Sequence, residues 1–260
     1  MQSLGILGVG ELTEKVVLGL RRGGYNGPIL LSPRNADRAQ ALAEDCDCRI
    51  LADNQAVVDE AEVLMLGVRP ASLNELAAQV RLRPGQRLLS LAAGVGLEQL
   101  AQAFPGAHCI RVMLSYAAQF NQSNVVLCPA DPVAEQCLGS LGQLVVLGDE
   151  AAFELATVAA CMNGWFYFLL HDLQQWLSDK GLPPEQTRAL VLGNLQDCVA
   201  SAQRQPEQSL NALGQAIATP GTFTADGLAV LMHQPVSATW GAACEVVLDG
   251  LLTRSRLAEH

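Results

Sequence analysis

The sequence has little positive charge and no long uninterrupted apolar run. Its 260 residues carry 16 Lys and Arg against 26 Asp and Glu, a formal net charge of -10, whereas nucleic-acid-binding proteins usually show a basic footprint. No apolar run reaches the roughly 20 residues of a membrane helix, and the first residues do not resemble a secretory signal. We therefore expect a globular, cytoplasmic protein whose partners are small molecules or copies of itself, not nucleic acid or membranes.

The eight cysteines lack the spacing of a disulfide framework or of a metal site. They are scattered over nearly 200 residues, in a chain without a secretory signal, which favours reduced thiols. Cys46 and Cys48 have one residue between them, whereas paired zinc ligands usually have two to four. The pattern predicts free thiols and no metal.

The hydrophobic pattern divides the chain into two halves. As far as about Gly148, short apolar runs such as "SLGILG" and "GPILLS" alternate with longer amphipathic ones, which is typical of βαβ units. After Asp149 the apolar residues recur at helical spacing. We predict an α/β fold in which a doubly wound parallel sheet, residues 1–150, precedes an all-helical domain, residues 151–260.

A glycine motif follows the first predicted strand, in "LGILGVGELTEKVVLGL". Gly8 suits a tight turn, and Gly10 lets a pyrophosphate approach the first helical amides, at Glu11 and Leu12. The third glycine of the usual pattern is Thr13 here. The motif predicts a dinucleotide site, and a purely structural turn is the alternative.

The end of the second strand favours NADP over NAD. An NAD site normally has Asp or Glu there to bind the ribose 2′-hydroxyl, whereas this chain reads "LLSPRNADR" and offers Ser32, Arg34, Asn35 and Arg38. Guanidinium groups suit a phosphate, so we predict NADP(H) as the cofactor. The alternative is a pair of solvated surface arginines.

Further motifs occur in order along the chain: "LADNQAVV", "GVRP", "SLAAGV", "RVM" and "TPG...T...GLAVL". With the glycine motif, they resemble those of the pyrroline-5-carboxylate reductase family over about 220 residues. The resemblance implies an NAD(P)H-dependent enzyme of amino-acid metabolism, in the family's case proline biosynthesis, with a Rossmann domain and a helical domain that forms dimers. It also implies further cofactor contacts at Asn54, Val68, Arg69, Pro70, Ala92, Ala93 and Gly94.

The family has an S/T-P-G-G-x-T turn whose amides meet the substrate carboxylate. Here Thr219 and Thr224 match its two ends, and the resemblance implies that Thr224 lies near the imine nitrogen as the catalytic donor. It implies substrate contacts within the turn at Pro220, Gly221, Thr222 and Phe223. The alternative is an ordinary N-cap, since Ser or Thr usually precedes a helix.

Two other family motifs are altered. Where the family reads R-V-M-P-N-T-P, this chain reads "RVMLSYAAQ", and S-G-S-G-P-A-Y becomes "CMNGWFY". The resemblance implies substrate contacts at Ser115, Asn163 and Gly164, with Trp165 and Phe166 adding bulk. An aromatic cluster in the helical core is the alternative.

The cofactor motifs are retained while the substrate motifs are changed. We predict an NADPH-dependent imine reductase, similar to pyrroline-5-carboxylate reductase but with an altered substrate. A non-catalytic, dimeric NADP-binding regulator is the first alternative. A β-hydroxyacid dehydrogenase is the second, but that class needs a catalytic Lys on a helix of the second domain, and the one Lys there is Lys180, in a turn.

Overall fold

The computed structural model describes residues 2–257, the last four as helical backbone only. An eight-stranded sheet forms the first half, in the order β3-β2-β1-β4-β5-β6-β7-β8. Its strands are β1 (Leu4–Leu7), β2 (Ile29–Leu31), β3 (Arg49–Ile50), β4 (Val63–Leu66), β5 (Arg87–Ser90), β6 (His108–Met113), β7 (Ser123–Cys128) and β8 (Gly142–Val146). The central strands are buried apolar runs, as expected of a sheet covered on both faces.

Six helices cover the two faces of the sheet, namely α1 (Glu11–Arg22), α2 (Ala36–Cys46), α3 (Asn54–Glu60), α4 (Leu73–Gln79), α5 (Leu97–Ala103) and α6 (Pro132–Leu138). Buried residues of α1, α2 and α6 form one core with the sheet. Those of α3, α4 and α5 form a second core with its other residues. The predicted doubly wound α/β architecture is confirmed.

The sheet departs from the fully parallel prediction at β7, which pairs with β6 in the antiparallel sense. The connection between them, residues 114–122, is nine residues long, whereas a parallel crossover needs about a dozen or more. It contains a 3₁₀ helix, Tyr116–Phe120, that lies against α1. Asn121 Nδ2 donates to Gly19 O at 2.9 Å, and a Cβ on Gly19 would come within 2.0 Å of Ala118 O, so the close approach requires glycine.

The second half is helical, as predicted. Its helices are α7 (Glu150–Asp179), α8 (Pro184–Arg204), α9 (Leu210–Ile217), α10 (Phe223–Met232) and α11 (Val236–Leu257). The described residues form two compact units, one of residues 2–160 and 248–257, the other of residues 161–247. The predicted domain boundary at residue 150 coincides with the start of α7, and the compact units divide further along that helix.

The helix α7 is long and apolar enough to cross a membrane, by length and composition alone. The sequence had indicated no run of that kind, because polar residues are interspersed through the segment. The core helix of a soluble protein passes the same test. Only 11% of its most apolar window is buried within one chain, so α7 exposes a large apolar surface.

Candidate functional site

The loops that follow β1, β2 and β4 meet at the carboxyl edge of the sheet. β1 lies between β2 and β4, and all three strands are parallel. The chain passes to opposite faces of the sheet on the two sides of β1, and this kind of switch point opens a crevice beyond the strand ends. The glycine motif therefore lies where open α/β sheets bind their ligands.

Gly8, Gly67 and Thr13 interlock at the base of this crevice. Gly8 has φ +94, and a Cβ there would lie 2.7 Å from Val68 Cγ1. A Cβ on Gly67 would lie 2.6 Å from Gly8 O and 2.3 Å from Thr13 Cγ2. Thr13 Oγ1 accepts the N–H of Gly10 at 2.8 Å and lies 3.1 Å from Gly8 O. Both glycines are thus required by the protein's own packing, and Thr13 fixes the loop.

Gly10 differs, because no contact among the described residues requires it to be glycine. Its φ of -100 is open to any residue, and an added Cβ would meet only Gly67 O, at 3.9 Å. The first-turn N–H groups of Glu11 and Leu12 have no acceptor within their own helix. Open space beside free amides at a helix N-terminus fits the pyrophosphate of a dinucleotide.

A groove of about 540 Å³ runs from this open space beside Gly10 to the loop after β2. Its lining includes Gly8, Gly10, Arg34, Asn35, Val68 and Arg69. Asn35 Nδ2 donates to Val9 O at 3.1 Å and joins the two loops. The guanidinium of Arg34 is two-thirds exposed, with Glu75 Oε2 at 3.7 Å as its ion-pair partner. Arg34 is therefore free to contact a phosphate in the groove.

Ser32 and Arg38, two of the predicted phosphate contacts, bind other groups of the protein in the structure. Ser32 is fully buried, and its Oγ accepts the N–H of Gly8 at 2.9 Å. The guanidinium of Arg38 forms an ion pair with the carboxylate of Glu14 on α1, which also holds Lys15 Nζ at 3.3 Å. Both residues support the loops around the groove instead of lining it.

The remaining predicted cofactor residues lie in three places. Asn54 Nδ2 donates to Gln79 Oε1 at 2.7 Å, and Asn54 does not line the groove. Pro70, Ala93 and Gly94 line a neighbouring cavity of about 480 Å³. Gly94 has φ +71, a value that favours glycine. Ala92 is buried beneath that loop.

Arg111, in the "RVM" motif, is a buried structural residue. Its guanidinium binds Glu150 Oε1 at 2.9 Å and Glu154 Oε1 at 2.7 Å, and it lies 4.3 Å from the centre of the Phe153 ring. Glu150 also accepts the N–H of Leu97 at the start of α5. This cluster joins β6, α5 and α7, and no motif in the sequence indicated its two glutamates.

Ser115, a predicted substrate contact, caps the 3₁₀ helix that follows β6. Its Oγ accepts the N–H of Ala117 at 3.3 Å, and its own N–H donates to Ser123 Oγ at 2.9 Å. The two serine hydroxyl oxygens are 3.4 Å apart. Local structure therefore explains Ser115, and the substrate contact is not needed to account for it.

In the second unit, the turn before α10 is a capped helix start. Thr222 Oγ1 accepts the N–H of Ala225 at 3.2 Å and donates to Thr219 O at 2.8 Å. Gly221 has φ +85, and Phe223 is 95% exposed. Thr222 is thus the N-cap of α10, and its predicted substrate contact stays a prediction. Thr224 stands exposed in the first turn of α10.

The altered motif on α7 forms an aromatic cluster with α11. The ring of Trp240 lies 5.9 Å from that of Trp165 and 5.8 Å from that of Phe166, whereas Asn163 and Gly164 are exposed. The three rings form a cluster, but Phe166 is 44% exposed, so the cluster is not a buried helical core. The substrate contacts at Asn163 and Gly164 stay predictions. The sequence pattern did not single out Trp240, since one aromatic residue on an amphipathic helix carries no distinct signal.

Two family models match the chain in succession. The model described as "NADP oxidoreductase coenzyme F420-dependent" matches residues 3–94. The model described as "Pyrroline-5-carboxylate reductase dimerisation" matches residues 150–249. The first contains the crevice at the strand ends, and the second begins where α7 begins.

Similar proteins match along the full chain. The pyrroline-5-carboxylate reductase of Haemophilus influenzae is 24% identical, over 98% of this chain and 97% of that protein. The solved pyrroline-5-carboxylate reductase of Coxiella burnetii has a TM-score of 0.86 at 20% identity, over 98% of each chain. That of Plasmodium falciparum, solved with NADP bound, has a TM-score of 0.85 at 16% identity, also over 98% of each chain. The two family models match successive parts of the chain, and over its full length the chain is similar to pyrroline-5-carboxylate reductases.

Proposed function

We propose that the protein is an NADPH-dependent reductase of a carboxylate-bearing imine other than pyrroline-5-carboxylate. The observation that carries the proposal is the open space beside Gly10, which is part of a groove. Arg34 lines this groove where an NAD site would have a ribose-binding acid. The full-length similarity to pyrroline-5-carboxylate reductases supports reduction of a C=N bond. The altered residues on the substrate side support a different imine.

In this proposal the first turn of α1 holds the cofactor pyrophosphate through the N–H groups of Glu11 and Leu12. Arg34 contacts the 2′-phosphate, and Arg69, also on the groove, adds positive charge beside it. When bound, NADPH supplies the hydride, and the protein contributes placement and electrostatics.

On the substrate side, Thr224 is the proposed proton donor. Its hydroxyl is exposed in the first turn of α10, and a donor at the imine nitrogen makes the carbon a better electrophile. The neighbouring N–H groups at the start of this ten-residue helix suit the substrate carboxylate. Thr222 shapes the turn through its cap.

The proposed change of substrate follows from two differences from the family motifs: a polar side chain is lost, and larger side chains replace small ones. The family's Asn is Ser115 here and serves as a cap, while Trp165 and Phe166 replace small residues and pack on Trp240. A lost polar contact costs a factor of roughly ten thousand in discrimination, whereas a misfitting methylene costs about ten to two hundred. Changed polarity therefore matters more than added volume.

The proposed assembly is a homodimer in the cytoplasm. The match to a dimerisation model over residues 150–249 supports self-association. So do the apolar side chains that one chain leaves exposed on its helices, including Phe168 and Val246, each 73% exposed.

A panel of cyclic and acyclic imino acids, assayed by NADPH oxidation, tests the substrate. We expect turnover on at least one carboxylate-bearing imine. The kcat/KM on pyrroline-5-carboxylate should be roughly a hundredfold or more below the kcat/KM on that imine. Thr224→Val should reduce kcat. Thr239→Val, which removes a hydroxyl that donates to the carbonyl of Pro235 just before α11, is the matched control. Efficient turnover on pyrroline-5-carboxylate would refute the altered substrate. Binding of NADPH without turnover on any imine would favour the regulator.

A further inference from the structure

An ion pair between Arg34 and Glu75 joins two elements at the edge of the dinucleotide groove. Arg34 Nη1 lies 3.7 Å from Glu75 Oε2, and both side chains are more than half exposed. Arg34 lies in the loop after β2, and Glu75 lies in the first turn of α4. Ser72, three residues before Glu75, lines the groove together with Arg34. The carboxylate of Glu75 is therefore held beside the guanidinium that is proposed to contact the 2′-phosphate.

The charges along the groove make this carboxylate important. The lining includes two cations, Arg34 and Arg69, and one acid, Asp37. Once Glu75 is added beside Arg34, the acids around the groove equal the cations in number. A phosphate binds best where guanidinium groups are available for charge-assisted hydrogen bonds. Glu75 therefore offsets the positive charge that favours a 2′-phosphate.

The ion pair is weak enough for a phosphate to displace it. Its separation of 3.7 Å is longer than the roughly 2.7–2.9 Å of a charge-assisted hydrogen bond. An exposed ion pair changes an equilibrium constant by a factor of about one and a half to five. A charge-assisted hydrogen bond from Arg34 to a phosphate changes it by a factor of about ten or more. The phosphate contact wins, but its net gain is reduced by the ion pair that it breaks.

We propose that Glu75 is a cofactor-selectivity residue: its carboxylate competes with the 2′-phosphate of NADPH for the guanidinium of Arg34, and so reduces the preference for NADPH over NADH. Selectivity is a difference between two affinities, and NADH, which has no 2′-phosphate, leaves the ion pair intact. This inference rests on the proposed binding of NADPH in the groove. Glu75 acts on the cofactor through Arg34, so its effect depends on Arg34.

The dissociation constants of NADPH and NADH, measured by fluorescence titration without substrate, test this in a double-mutant cycle. Glu75→Gln should bind NADPH about twofold to fivefold more tightly than wild type and should bind NADH with unchanged affinity. The double variant should match Arg34→Ala, because without the guanidinium there is nothing for Glu75 to compete for. A purely structural change in α4 would instead alter the affinities of both cofactors.

Glu60→Gln is the matched control. It removes the carboxylate of another exposed ion pair, in which Glu60 Oε2 lies 3.1 Å from Arg49 Nη2. Arg49 begins β3 and Glu60 ends α3 shortly before β4, so this pair lies at the opposite, amino edge of the parallel strands. Neither cofactor should change in affinity. Circular dichroism verifies that each variant is folded.

Three results would overturn the inference. Unchanged NADPH affinity in Glu75→Gln would show that the carboxylate does not compete for Arg34. Weaker NADPH binding would show that Glu75 instead orients Arg34 toward the phosphate. Equal tightening in the Arg34→Ala background would mean that Glu75 acts on the phosphate directly. Failure of wild type to bind NADPH would refute the proposed function itself, so the two failures are distinguishable.

Discussion

Two glycines of the dinucleotide loop, Gly8 and Gly10, are glycine for opposite reasons. Gly8→Ala should lower the melting temperature by several degrees, because φ +94 and the contact with Val68 leave no room for a Cβ. Gly10→Ala should leave stability within about 0.5 kcal/mol but weaken NADPH binding roughly tenfold or more, since the methyl group would occupy the phosphate space. Thermal melts and fluorescence titrations of both variants measure this, and a large loss of stability in Gly10→Ala would contradict it.

Two arginines near the groove provide a second contrast at this scale. Arg34→Ala should weaken NADPH binding roughly tenfold while leaving NADH unchanged, because a lost charge-assisted hydrogen bond costs about 1.5–3 kcal/mol. Arg38→Ala should have a smaller effect on NADPH, since its guanidinium is already paired with Glu14. Titration of both cofactors against both variants decides between the arginines. Equal losses of NADPH affinity in the two variants would indicate that Arg38 also contacts the phosphate.

At the scale of elements, alternating strand and helix patterns were sufficient to predict the sheet, its layers and the helical second half. Two features were not predictable from local pattern. The direction of β7 follows from the length of a connection whose 3₁₀ helix has no strong periodicity. The inward orientation of Ser32 follows from a tertiary bond to Gly8, whereas a strand-end motif indicates only where a residue lies along the chain.

The carboxylate of Asp131 holds together the start of α6 and the amino ends of β5 and β6. It accepts the N–H of Ala134 at 2.9 Å and binds Arg87 Nε at 2.9 Å and His108 Nε2 at 3.2 Å. Burial alone would raise the pKa of Asp131, but the hydrogen bonds from Ala134 and Arg87 outweigh it and hold the pKa below its usual value. The charged form is therefore favoured by folding.

Asp131→Asn should cost roughly 1–3 kcal/mol of unfolding free energy at neutral pH. A depressed pKa contributes stability above the unfolded value of about 3.9, and that stability is lost as the pH falls through the folded value. The difference in unfolding free energy between wild type and Asp131→Asn should therefore disappear as the pH falls. Denaturant titrations from pH 7 to pH 3 measure it, with the exposed cap variant Asp53→Asn as the control. A gap independent of pH would show that the charge of Asp131 is unimportant.

For the whole molecule, the residues predicted on the cofactor side include several that line one groove, whereas those predicted on the substrate side are mostly explained by local structure. Gly8, Gly10 and Arg34 lie where their motifs indicated because backbone geometry and phosphate chemistry constrain them strongly. Ser115 and Thr222 proved to be caps, since the same hydroxyls serve helix starts and ligands alike. Motif spacing does not separate these two uses.

The exposed apolar helices predict self-association. Light scattering at micromolar concentration should give about twice the chain mass of 27.6 kDa. Phe168→Asp, at a side chain that one chain leaves 73% exposed, should shift the mass toward the monomer. Gln40→Asp, an exposed position on α2, should not. A wild-type monomer at these concentrations would contradict the proposed assembly.

The uneven burial of the two units has a kinetic consequence. Most of the buried core belongs to the first unit, whereas Thr187 is the one buried side chain within residues 161–247, all of which the structure describes. The sheet unit can thus complete its core in a first-order reaction. In the proposed dimer, the helices cover their apolar surface only when they meet a second chain. Refolding after dilution from denaturant should then show a slow phase whose rate rises with protein concentration, and the yield of native protein should depend on how quickly chains find each other.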